Sequence, residues 1–228
     1  MKHLFTYFFA VIFITGIFSS CKKNSEEPIA IDKSYFPLQS GKYIIYDVDS
    51  IGYSDFFDST FVSKYQIKEE IDSAFIDNEG NAAYRIYRSR RNTDTDSWVI
   101  TDVWSANLTD YTAEKVEENL RFIKQYFPIQ INRQWYGNAK IQTTGSLSFL
   151  DGWKYEYTEI HAPLTINSLY FDSTITVTQH NEVNFIAQKI YIEKYAKNVG
   201  LIYKFEDSLS IQQDTSGRIV TMMVKEFN

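Results

Sequence analysis

From Tyr35 onward the chain alternates. Phe61, Tyr65, Ile67, Ile71 and Phe75 fall on one parity, as do Leu169, Phe171, Ile175 and Val177, and then Leu201, Tyr203, Phe205, Leu209 and Ile211. A period of two marks strands with one buried face, because successive side chains of an extended backbone point to opposite sides. Trp153, Tyr155 and Tyr157 continue the pattern, and Ala139, Ile141, Leu147 and Phe149 share a parity of their own. Between the runs stand turn-forming segments: Asp77 to Asn81, Asp151-Gly152, His180-Asn181-Glu182, Asn198-Val199-Gly200 and Thr215-Ser216-Gly217. Short turns join antiparallel neighbours, and Asp151-Gly152 gives the strongest hairpin signal, since both residues tolerate positive φ. The fold class that follows is mainly β: a single antiparallel meander of roughly ten strands, curled into a barrel-like or sandwich form, with at most one or two helices.

One segment supports two readings. Val116, Leu120, Ile123 and Phe127 keep helical spacing, while Val116, Leu120, Phe122 and Tyr126 share a strand parity, so residues 113–127 are read as either helix or strand. A second ambiguity concerns Tyr35-Phe36-Pro37-Leu38-Gln39, which returns as Tyr126-Phe127-Pro128-Ile129-Gln130. This echo marks an internal duplication, or a Phe-Pro pair used twice to plug a sheet end.

The amino-terminal end carries a different kind of information. A basic start, Met1-Lys2-His3, leads into an apolar run from Leu4 to Phe18, followed by Ser19, Ser20 and the sole cysteine, Cys21. The run is too short for a permanent bilayer-spanning helix and has the layout of a signal peptide. Phe18-Ser19-Ser20-Cys21 resembles the bacterial lipobox, with Phe18 in place of the usual leucine. That resemblance implies cleavage after residue 20 and a diacylglycerol thioether on Cys21, with palmitate-type acyl chains holding the protein at a membrane. The domain plan is therefore a signal peptide over 1–20, a lipidated cysteine and flexible tether over 21–34, and a β-rich domain over 35–228. The tether is read from its polar, aperiodic composition.

The segments Tyr35 to Tyr46, Glu118 to Arg121, Phe127-Pro128-Ile129, Trp135 to Asn138 and Glu193 to Leu201 resemble those of small Bacteroidota lipoproteins of unknown function. The resemblance implies an outer-membrane lipoprotein, on the periplasmic face or the cell surface, and brings no activity with it. Glu26-Glu27, shortly after Cys21, is similar to the acidic export tag of surface lipoproteins in that group.

The formal charge of −6 excludes nucleic acid as a natural partner, because an acidic surface repels phosphate, and removal of residues 1–20 takes away Lys2 and makes it more negative. Nucleophilic catalysis finds no Gly-x-Ser-x-Gly elbow, and His161 and His180 read as rim histidines. Zinc lacks ligands, with His180-Asn181-Glu182 the one compact candidate, already explained as a turn. Asn92-Thr93-Asp94-Thr95-Asp96 begins like a calcium loop, yet Ser97 and Val103 stand where its glycine and bidentate glutamate belong. No cofactor motif is present. Asp-Ser followed by a methyl-bearing residue, at Ser50, Ser59, Ser73, Ser173 and Ser208, is similar to an O-glycosylation acceptor pattern of exported Bacteroidota proteins. Aromatic residues make up 17% of the chain, which points either to a β core or to a binding face in which Trp98, Trp104, Trp135 and Trp153 are the candidate ligand contacts. The function expected is a non-catalytic envelope module binding a glycan, a lipid or a partner protein. An envelope hydrolase working with two carboxylates is the alternative.

Lipidation gives the first prediction. Cys21→Ala should move the protein from the membrane fraction to the soluble fraction; retention in the membrane, with Phe18 still attached by mass spectrometry, would refute the anchor.

Overall fold

The computed structural model describes residues 31–228 apart from Gln213; the expected signal peptide, Cys21 and most of the tether lie outside the described residues. Twelve strands follow one another: β1 (Tyr43–Ser54), β2 (Ser59–Ile76), β3 (Ala82–Arg91), β4 (Val99–Leu108), β5 (Thr112–Glu117), β6 (Leu120–Tyr126), β7 (Gln134–Tyr136), β8 (Lys154–Ile166), β9 (Leu169–Val183), β10 (Ala187–Ala196), β11 (Gly200–Ser210) and β12 (Ser216–Phe227). They form one antiparallel sheet in the order β6-β5-β4-β3-β2-β1-β12-β11-β10-β9-β8-β7. The sheet is a continuous meander in which the first strand also pairs with the last. Its two edges meet across a seam, where Ile123 N–H donates to the Gly137 carbonyl at 2.7 Å and Trp135 Nε1–H donates to the Ile123 carbonyl at 2.8 Å. The barrel is thus nearly closed, which removes exposed strand edges as aggregation sites. Gly137 is fixed by this seam, because a Cβ there would lie 2.3 Å from the Tyr155 ring.

Residues 113–127 form a hairpin. Glu118 and Asn119, at φ 49° and 63°, make a tight turn of the primed kind between β5 and β6. Three other sequence expectations are corrected. Ala139, Ile141, Leu147 and Phe149 do not form a strand: the segment between β7 and β8 runs through local turns and a short 3-10 helix, Gly145–Leu150, because successive N–H groups find carbonyls three residues back. Asp151-Gly152 ends that helix, with Asp151 at φ −64°, ψ 136° and Gly152 at φ 73°, the pattern of a type II turn and not of a hairpin. His180-Asn181-Glu182 lies inside β9. The turn comes later, at Asn184, whose side-chain oxygen accepts from the N–H groups of Ile186 and Ala187.

The echo in the sequence is a structural repeat. Six strands follow each copy, and the local geometry is the same. Lys42 N–H donates to Gln39 O and Arg133 N–H to Gln130 O; Gly41 N–H donates to Ile71 O and Asn132 N–H to Tyr157 O; Gly41 and Asn132 share positive φ, 88° and 61°. Ile71 and Tyr157 return the bond to Lys42 and Arg133. Each half also carries a Lys-x-Glu pair on its fifth strand, Lys115 and Glu117 in β5 and Lys204 and Glu206 in β11. Both plugs enter from the same end of the barrel, since β1 and β7 run in the same direction. Tyr35, Phe36, Phe127 and Ile129 pack there with Trp135, Tyr155, Tyr157, Ile175, Val177 and Tyr195 in the main core. One end is therefore sealed by the plugs, and the other is bounded by hairpin tips and by the segment between β7 and β8, which buries Leu150 and Trp153 in the main core.

Candidate functional site

Alternation along β1 points Tyr46, Val48, Ser50, Gly52 and Ser54 into the barrel, and the pairing register extends the last four of these positions into rows across five or six strands. The deepest row is Tyr65, Val48, Met222, Lys204, Glu193. The next outward is Ser63, Ser50, Val220, Glu206, Tyr191, His180; then come Phe61, Gly52, Arg218, Ser208, Lys189, Glu182; and at the lip Ser59, Ser54, Ser216, Ser210, Ala187. Strands β2, β1, β12, β11, β10 and β9 thus form a concave trough whose wall changes from apolar and ionic at depth to hydroxyl-rich at the mouth. A concavity of about 330 Å³ lies in it, lined by Phe149, Tyr191, Glu206, Ser208, Gly217, Arg218 and Val220. Gly217 permits the close pairing of β11 and β12, for a Cβ there would sit 2.1 Å from the Ser208 carbonyl. In the lip row, Ser59 Oγ is shielded from solvent and has no hydrogen-bond partner among the described residues.

The floor of the trough is a chain of buried and half-buried ions. Lys124 Nζ lies 3.0 Å from Glu117 and 3.0 Å from Glu193. Lys115 Nζ lies 3.3 Å from Glu117 and 2.8 Å from Glu69, and Arg88 contacts Asp102 at 3.2 Å. Tyr195 O–H donates to Glu193, and Tyr46 O–H to the Leu201 carbonyl at 2.9 Å. Lys204 and Glu206, 2.7 Å apart, close the chain on the trough side. Burial opposes ionisation of Glu117, but Lys124, Lys115 and Lys204 outweigh it and hold the carboxyl far below its ordinary range. Burial also works against charge on Lys124 and Lys204, and there the neighbouring glutamates win and push both amines upward. Glu206 is held low against burial by Lys204. Tyr46 and Tyr195 are driven far up by burial and by adjacent carboxylates. Behind these ions, under the first plug, a second cavity of about 80 Å³ is lined by Phe36, Leu38, Ile71, Glu117 and Lys124 among others. It has room for a few waters, whereas the trough reaches the size of small-ligand sites.

The four tryptophans are not brought together. Trp98 lies half-exposed under the Arg91 guanidinium at 4.3 Å; Trp104 carries Arg88 and Lys115 over its ring at 4.7 Å each; Trp135 is buried at the seam; and Trp153 is buried with its ring stacked on His180 at 4.4 Å and tilted against Tyr191. Trp153 therefore packs inside the barrel against the inward rings of His180 and Tyr191, beside the trough. His161, at a bulge of β8 with φ 54°, meets the Tyr35 hydroxyl at 2.9 Å, and that hydroxyl also meets Ser173 Oγ at 2.7 Å. Asp94 of the calcium-like loop is occupied by Arg91 and Lys225, and Asp96 accepts from Thr93 N–H. The arginines at 85, 88 and 91 pair with Asp72, Asp102 and Asp94, and Arg90 lies over the Tyr65 ring. Of the Asp-Ser positions, Ser50 and Ser208 face the trough and Ser59 stands at its lip. The sequence signal missed here was the run of serines at inward positions of strands, which alternation alone assigns to a solvent face.

No protein-family profile matches the chain, and no curated protein matches it. Solved structures that are similar include two from Bacteroidales. One, described as an exported protein with a YmcC-like fold from Bacteroides fragilis, is 9% identical, with a TM-score of 0.47 over 85% of this chain and 98% of the other. The second, described as a lipoprotein from Parabacteroides distasonis, is 10% identical, with a TM-score of 0.46 and the same coverage.

The ionic floor sets a pH window. Glu117 and Glu206 titrate below their unfolded value, so their contribution is present above about pH 4.3 and is lost as pH falls further. Lys124, Lys204, Tyr46 and Tyr195 titrate above theirs, so their contribution is present below about pH 10 and is lost as pH rises. Unfolding free energy measured in urea should be level between these limits and fall outside both; stability still rising as pH drops below about 4 would contradict the assignment.

Proposed function

We propose that this chain is a lipid-anchored cell-envelope module that binds a glycan, without catalysis, in the trough at the open end of its barrel. The observation that carries this reading is the composition of the trough wall. Sugars present hydroxyls around their edges and apolar C–H groups on their faces. Serine hydroxyls both donate and accept, so Ser50, Ser54, Ser63, Ser208, Ser210 and Ser216 supply adaptable partners for the edges. Phe61 and Phe149, both about half exposed, and Tyr191 offer ring faces for stacking.

A hydrolase with two carboxylates needs one of them protonated near neutral pH. Glu206 is already neutralised by Lys204, and Glu182 is taken up by His180 at 3.4 Å and by Asn184 at 2.7 Å. Asp207, the carboxyl that burial pushes upward, points away from the trough and bonds to Gln188. These contacts support binding over turnover.

Anchorage supports the same orientation. Ser34 and Asp32 are held at the sealed end, by Asn198 and Lys197. A lipid on Cys21 would leave about ten residues, at most about 35 Å of extended chain, between the bilayer and that end, so the trough would open away from the anchoring membrane. An outer-membrane location, on either face, is part of this proposal.

Thermal unfolding of the full chain against a panel of envelope oligosaccharides provides the test. A glycan at 100 times its dissociation constant should add about 2.7 kcal/mol. Ser208→Trp, which fills the trough beside Tyr191 and Arg218, should remove that gain while the free protein still unfolds cooperatively. Stabilisation retained in Ser208→Trp would move the site elsewhere, and no response to any glycan would overturn the reading.

A further inference from the structure

Among the described residues most cations have a carboxylate within salt-bridge distance, but two that face the trough do not. Arg218 and Lys189 sit in the same row, each directly opposite Ser208 on its neighbouring strand. Two strand spacings separate their backbones, about 10 Å, so the two long side chains flank the serine hydroxyl from either side. Neither forms an ion pair or a side-chain hydrogen bond among the described residues. The acids that face them are engaged elsewhere: Glu206 with Lys204, and Glu182, opposite Lys189, with His180 and Asn184. Asp55 and Asp214 lie farther out, in a groove at the lip lined also by Ser210, Gln212 and Ser216.

Like charges placed along one row repel. In a chain of net charge −6, these two unpaired cationic heads, on the strands either side of β11, stand out as a place where an anionic group is attracted. The planar guanidinium suits bidentate pairing with a carboxylate, and the flexible ammonium adds a point charge from the opposite side. We propose that the trough is selective for an acidic glycan, with the carboxylate of a uronic-acid residue seated between Arg218 and Lys189 over Ser208. This rests on the glycan-binding reading and names its ligand class.

Isothermal titration of the full chain with α-1,4-linked trigalacturonate and with the neutral α-1,4-linked galactotriose separates the two claims. The acidic sugar should bind about tenfold more tightly at low ionic strength, an advantage that shrinks as salt is added. Arg218→Gln combined with Lys189→Gln should abolish the preference while the melting midpoint of the free protein holds, both side chains lying outside the core. Equal affinity for the two sugars, or a preference that survives in the double variant, overturns the carboxylate seat and leaves the glycan reading intact. Failure of both sugars to bind counts against the glycan reading and removes this inference with it.

Discussion

Everything in the barrel is arranged around an ammonium group that has no access to bulk water. Lys124, from the last strand of the first half, is held between Glu117 of its own half and Glu193 of the second. A buried charge is tolerated only when paired and hydrogen-bonded, and each of these three is. Glu193 receives the Tyr195 hydroxyl as well, and Glu117 receives Lys115. The cluster holds the interior of the barrel apart, because charged groups cannot be packed as apolar side chains would be. On one side of it lies the trough, and on the other the aromatic plugs, with the small cavity between.

The repeat explains why the two ends differ. Two copies of a Tyr-Phe-Pro segment enter from one end, as the common direction of β1 and β7 requires, and both deliver aromatic side chains to the main core. The opposite end receives no such segment, only hairpins and the loop that brings Phe149 to the rim. The halves have diverged most where the seam closes. β7 has three residues against twelve in β1, and the long segment after it packs Trp153 against the inward faces of β9 and β10. One set of equivalent Lys-Glu pairs, in β5, lies among the ions of the floor, while the other, in β11, lines the inner part of the trough.

The meander and its curvature were legible in the sequence because alternation and turn residues are local signals. Buried Tyr155, Tyr157, Ile175 and Val177 follow the parity read from the sequence. The β5–β6 hairpin was not legible, since Glu118-Asn119 is not a strong turn pair by composition and the flanking apolar residues satisfy two periods at once. Ala139 to Phe149 misled for the opposite reason: its apolar residues share a parity by chance while Gly145, at φ 60°, breaks the extended backbone. The trough was hidden by the same rule that revealed the sheet. Inward Ser50, Lys204, Glu206 and Ser208 look like a solvated face when read along one strand, and only the register across six strands shows that they face one another. The tryptophans carried most of the sequence-based expectation for a site, yet Trp135 and Trp153 serve packing, and Tyr191, Phe61 and Phe149 are the rings that reach the concave surface.

The claim that paired ions inside the barrel hold its floor in place is tested most directly by urea unfolding of Lys124→Met. Removing the ammonium leaves Glu117 and Glu193 buried without their shared partner, and the account predicts a loss of about 3–5 kcal/mol. A variant as stable as the parent, or more so, would contradict it.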